Sequence, residues 1–169
     1  HLSDAVGGTY ISISLSSESK INPFDLPRPV GREVAVEDII RSGIITMKGL
    51  LRIMLGGFTT EQDSLMDRAL KEAYAKKDIT PDADLSRVQP PIMQDLQEVL
   101  EGMEGAGELV VKLQKYTSGT FSGLFNSPTN VDMRNQLVIF SVRDLEDELR
   151  PTAIFSIVNY IWNVVRSEM

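Results

Sequence analysis

The separation of its two strand-like segments constrains this chain most. Thr9-Tyr10-Ile11-Ser12-Ile13-Ser14 alternates β-branched and aromatic residues with polar ones, as a short strand does. The next segment of strand character is Leu137-Val138-Ile139-Phe140-Ser141-Val142, a continuous apolar run of the kind buried on both faces of a parallel sheet. Everything between them is helical in pattern or broken by proline and glycine. The order is therefore strand, several helices, strand, helix. Before the first strand, Leu2 to Val6 followed by Gly7-Gly8 has the character of a helix's last turn stopped by glycine. After the second strand an apolar helix should lead into a further parallel strand, and none follows. These two ends, together with the lack of a starting methionine, are what an interior piece of a larger α/β protein would show.

Between the strands, Pro23, Pro27, Pro29 and Gly31 exclude a regular helix and predict a fixed, extended connector over 15–35. From Val36 to Leu55 the apolar residues Val36, Ile39, Ile40, Ile44, Met47, Leu51, Met54 and Leu55 recur at helical spacing, and Gly56-Gly57 ends the run. Thr59 and Gln62 fit a capping box opening a helix over 60–77. Further helices are predicted near 92–103 and from Leu109 to about Tyr116, and turn residues crowd 117–136. The methionines at 47, 54, 66, 93 and 103 lie on the helix stripes and read as packing. Pro151 suits the first turn of a last helix, whose apolar face is expected to hold Ala153, Ile157, Ile161 and Val164, widened by Trp162 and Val165. Trp162 is expected in the core, with an interface anchor as the alternative.

Chemistry is conspicuous by what is missing. The sole histidine is His1 and there is no cysteine, so neither a histidine triad, a thiolate metal site nor a disulfide is available; the lack of cysteine suits a reducing compartment. No Gly-Lys-Ser/Thr occurs, so Ser118-Gly119-Thr120-Phe121-Ser122-Gly123 has the glycines of a phosphate loop without its lysine. A tight loop packed by Phe121 and Leu124 is the expectation there. Asp82-Ala83-Asp84 opens like a calcium loop, but Arg87 stands where glycine is required. Asp144, Glu146, Asp147 and Glu148 are expected to favour the N-terminus of the last helix through its dipole, with Asp144 keeping interest as a residue beyond the end of a strand. The net charge of −7, with scattered basic residues, argues against a nucleic-acid grip. No apolar run approaches the ~20 residues of a membrane span.

Several strings carry a more specific resemblance. Gly7-Gly8-Thr9-Tyr10-Ile11, Ile21-Asn22-Pro23-Phe24-Asp25-Leu26, Ser118 to Val131, Leu137 to Pro151 and Asn159-Tyr160-Ile161-Trp162-Asn163 run in order over nearly the whole chain. Together they resemble the conjugative-transfer ATPases of type IV secretion systems (TraC-like, VirB-type). That resemblance implies a mostly α fold with a few strands, namely part of a RecA-like P-loop ATPase α/β core carrying a helical insertion. It divides the chain into 1–35 (end of a helix, strand and Pro-rich connector of the core), 36–116 (helical insertion) and 117–169 (loop, strand and helix of the core). The family acts as a hexamer at the cytoplasmic face of the inner membrane, hydrolysing ATP with Mg to assemble or drive a channel that moves DNA or protein. The resemblance places this chain between the Walker A and Walker B motifs. It therefore transfers no catalytic, cofactor or metal residue. Arg134, Arg143, Asp144 and Arg150 are left as candidate contacts to nucleotide or to a neighbouring subunit, with surface salt bridging as the alternative. A helical interaction module docking secretion components is the competing reading, and a stand-alone enzyme is disfavoured by the missing constellations.

Overall fold

The computed structural model describes residues 7–28, 34–133 and 137–168. The initial helix tail, His1, Pro29, Gly31 and Arg134 lie outside them. Two strands, β1 (Thr9–Ser12) and β2 (Val138–Ser141), enclose four helices: α1 (Val36–Leu55), α2 (Thr60–Ala75), α3 (Met93–Glu101) and α4 (Gly107–Thr117). A fifth, α5 (Arg150–Glu168), follows β2. The fold is mostly helical with one short two-stranded sheet.

β1 and β2 pair in parallel, Thr9 opposite Val138 and Ile11 opposite Phe140. Bonds from Thr9 N to the Leu137 carbonyl and from Ile13 N to the Ser141 carbonyl, both 2.8 Å, extend the ladder at each end. A parallel pair cannot be closed by a hairpin, so the long connection is a geometric requirement, and helices fill it. β1 is short because the chain turns at once, Ser17 Oγ folding back to donate to the Ser12 carbonyl. β2 corrects the expectation of burial on both faces. All four of its residues are half-buried, because the described residues supply one neighbouring strand and not the second that a central parallel strand has.

α1 ends on Gly56, whose φ of 84° lies in the left-handed region that glycine enters at no steric cost. The Thr59–Gln62 capping box forms in full, each side chain bonding the other's backbone N–H. α1 and α2 bury complementary stripes and are bridged by Lys48 to Asp67 at 3.1 Å and Arg52 to Asp63 at 2.5 Å. Met47, Met66 and Met93 are fully buried, as the stripes predicted. Two tyrosines tie helices to backbone outside them. Tyr74 of α2 donates to the Phe24 carbonyl at 2.8 Å, and Tyr116 of α4 donates to the Met54 carbonyl at 3.1 Å.

The last helix departs most from the pattern. Its buried side carries Thr152, Ala153, Ser156, Ile157 and Asn163, while Trp162 is 56% exposed. Trp162 is thus not in the core. α5 packs beside α1, where its Phe155 ring lies 3.5 Å from the position a Cβ on Gly49 would take, and Trp162, two turns further on, borders a cleft with Gly43 and Ile45 of α1.

Candidate functional site

Three of the strings singled out in the sequence meet in space. The connector after β1, the loop before β2 and the C-terminal half of α5 are joined by a hydrogen-bond network spanning more than a hundred residues of sequence. Asn130 holds the connector through Lys20 N (2.7 Å to its Oδ1) and donates from Nδ2 to the Glu18 carbonyl at 2.7 Å. Thr129 Oγ1 accepts from Asn22 N at 2.7 Å and donates to Asp25 Oδ2 at 2.5 Å. Asn22, 2% exposed, donates from Nδ2 to the Pro91 carbonyl at 2.9 Å and accepts at Oδ1 from Phe24 N at 3.1 Å. From α5, Asn163 donates to the Asp25 carbonyl at 3.0 Å. Asparagine suits these positions because one planar side chain both donates and accepts, satisfying backbone groups that burial would otherwise leave costly.

Two clefts open beside this joint. One, of about 620 Å³, is lined by Asn22, Asp25, Arg28, Thr129, Tyr160 and Asn163 among others. The other, of about 290 Å³, includes Asp25, Gly43, Ile45, Trp162, Asn163 and Arg166. Burial pushes the Asp25 carboxyl above the usual carboxylate range, opposed by the Thr129 hydrogen bond and the Arg28 charge. The folded chain therefore binds this proton more tightly than the unfolded chain. The corresponding stability is fully present below the unfolded carboxylate pKa and is lost as pH rises through the raised folded one. Asp25→Asn keeps an acceptor for Thr129 and removes the charge. The variant should unfold at higher urea than the parent chain at pH 7, and its advantage should shrink towards zero as pH falls into the carboxylate range. An advantage independent of pH would show that ionisation of Asp25 is not the cause.

The Ser118–Gly123 loop does not fit a phosphate. A Cβ on Gly123 would lie 2.3 Å from the Leu15 carbonyl oxygen, and one on Gly119 would lie 2.9 Å from Lys115 Cα. Both glycines permit close backbone packing of the loop itself. Phe121 is buried, its ring 5.7 Å from that of Tyr116 and 4.8 Å from Lys115 Nζ. The loop is the packed turn the sequence suggested.

Arg143, Asp144 and Arg150 come together beyond the end of β2. Arg150 is spent on the backbone, with Nε 3.4 Å from the Val142 carbonyl, Nη2 3.2 Å from the Arg143 carbonyl, and Nη1 donating to Asp147. Arg143 is exposed and reaches Asp144 at 3.6 Å. Glu148 pairs with Lys115 at 3.0 Å. The acidic stretch lies immediately before the N-terminus of α5, as expected, and Asp144, Asp147 and Glu148 also pair with Arg143, Arg150 and Lys115. Among the described residues no group of three or more histidines, cysteines or carboxylates is placed to hold a metal. Sequence reading missed the Asn22–Asp25–Thr129–Asn163 joint, although the strings that carry the family resemblance contain all four residues.

These observations define a class: a helical unit inserted between two adjacent parallel strands and locked at the strand-side loops. No protein-family model matches the chain, and neither does any curated protein. Among solved structures it is similar to VirB4 of Thermoanaerobacter pseudethanolicus, with a TM-score of 0.82 and 26% identity over 97% of this chain. The match spans 64% of that VirB4 chain. The resemblance to the type IV secretion ATPase family, read from the sequence strings, is borne out by this match.

Proposed function

We propose that the chain is the interval between the Walker A and Walker B motifs of a RecA-like secretion ATPase, and that its own work is structural and interaction-mediating. The single observation that supports this best is the β1–β2 parallel pair with α1–α4 inserted between its strands, in a fold shared with VirB4. In this reading the whole protein binds ATP and Mg, forms a hexamer at the cytoplasmic face of the inner membrane, and powers channel assembly or movement of DNA or protein. The inserted helices would dock neighbouring subunits or other secretion components. The exposed guanidinium of Arg143 is the group best placed to reach nucleotide or an adjacent subunit, since Arg150 is held by carbonyls. No helix among the described residues is long and apolar enough to cross a membrane.

The experiment is ATP hydrolysis by a longer chain with the flanking Walker segments restored. Hydrolysis is expected, falling when Arg143 is replaced by alanine while the fold is kept. A longer chain that carries both motifs, folds and remains inert would refute the reading.

A further inference from the structure

Asp25 carries a charge that only half of its carboxyl group shares with the protein. Oδ2 accepts from Thr129 Oγ1 at 2.5 Å, and the Asp25 carbonyl accepts from Asn163 Nδ2 at 3.0 Å. Oδ1 has no hydrogen-bond or ion-pair partner among the described residues. Nor is that oxygen sealed in, since the one fully buried side-chain polar atom left without a partner among those residues is Ser156 Oγ. Asp25 lines both clefts beside the joint, and its free oxygen has only that space to face. The neighbouring cation, Arg28, donates from Nη2 to the Val88 carbonyl at 3.0 Å and acts on Asp25 through its charge alone. A carboxylate partly withdrawn from water, with one oxygen unbonded, gains from any hydrogen-bonding cation brought to it.

The larger cleft, of about 620 Å³, suits a cation carried on an apolar stem. Leu26, Pro90, Pro128 and Val164 give it apolar walls, and Asn163 and Tyr160 stand beside Asp25 in its lining. With Asn163 Nδ2 committed to a carbonyl, Asn163 Oδ1 is left as a second acceptor. The potential there is negative: burial first, and then the charges of Asp25 and Asp132, hold the Tyr160 hydroxyl above its usual range. The net charge of −7 acts in the same sense. We infer that this cleft binds a primary alkylammonium, the chemistry of a lysine side chain or a small diamine, with its N–H groups on Asp25 Oδ1 and Asn163 Oδ1 and its stem along the apolar walls. Thr129 already occupies Oδ2, which disfavours the parallel two-bond fork of a guanidinium. An ammonium is a point charge whose three donors rotate to meet single oxygens. A hard metal ion would need several oxygen ligands, and no group of three carboxylates or histidines is assembled among the described residues.

The test is an NMR titration of the 169-residue chain with n-butylammonium chloride at constant ionic strength. The Asp25 carboxyl carbon and the Asn163 side-chain amide should shift together and saturate, with a dissociation constant on the order of millimolar. Tetramethylammonium has the same charge and no N–H donor, so it should give no saturable shift. Asp25→Asn should keep the circular dichroism of the parent chain and lose the Asn163 response to n-butylammonium. If Asp25→Asn fails to fold, the comparison with tetramethylammonium on the unaltered chain still decides. Nα-acetyl-lysine methylamide and putrescine then separate the sources. Tighter binding of the first assigns a lysine side chain, and tighter binding of the second a free diamine. The inference is overturned by the absence of any saturable shift with n-butylammonium. It is equally overturned by a shift that tetramethylammonium reproduces, or by one that survives Asp25→Asn.

Discussion

Replacing Phe24 by alanine is expected to cost about 3–5 kcal/mol, the usual range for removing a fully buried aromatic side chain. Phe24 has no exposed surface, and its ring meets that of Tyr74 edge-on at 6.0 Å. Its carbonyl also accepts the buried Tyr74 hydroxyl. The ring therefore sets both the packing of the connector on α2 and the position of the carbonyl that accepts that hydroxyl. Urea unfolding of the variant measures the loss. A cost under about 1 kcal/mol, the scale of a surface substitution, would mean that the connector is not seated on α2 as described.

Gly123→Ala should be the second large effect, at about 1–3 kcal/mol or more, because it forces extra volume into a closed contact. The added methyl would lie 2.3 Å from the Leu15 carbonyl oxygen and 3.3 Å from its carbon. Both are backbone atoms, so no rotamer change relieves the clash. The loop must separate from the connector, and the bond from Lys20 Nζ to the Gly123 carbonyl goes with it. Gly43→Ala is the informative comparison. There the nearest atom, at 2.4 Å, is a Leu26 methyl group that can swing aside, so its cost in the same urea assay should be distinctly smaller. Equal costs at the two positions would contradict a backbone clash at Gly123.

Much of the helical part was legible in the sequence because its signals are local. The apolar spacing and Gly56-Gly57 give α1 as 36–55, and the Thr59–Gln62 pair marks the start of α2 without reference to anything distant. The strands were legible too, since β-branched alternation and a short apolar run are both short-range patterns. The failures arise where distant groups decide. Apolar periodicity in α5 placed Ala153 and Ile157 on the buried side, where they are, but also assigned Trp162 to the core, whereas polar Thr152, Ser156 and Asn163 complete the buried side. Asn163 is held there by the Asp25 carbonyl of the connector, a contact no periodicity encodes. Likewise Asn22, Asp25 and Thr129 each look like ordinary turn residues. Only the closure of β1 against β2 brings them within bonding distance. The position of the acidic stretch before α5 was legible, but its partners Lys115, Arg143 and Arg150 were not, since the Lys115 pair joins elements far apart in sequence.

In the function proposed above, this chain supplies the frame and contacts of a secretion ATPase without a nucleotide site of its own. The most direct test is a titration of the folded 169-residue chain with a fluorescent ATP analogue and Mg²⁺, followed by anisotropy up to millimolar nucleotide. No saturable rise is expected, with or without the metal. Saturable, Mg²⁺-dependent binding that unlabelled ATP displaces would contradict it.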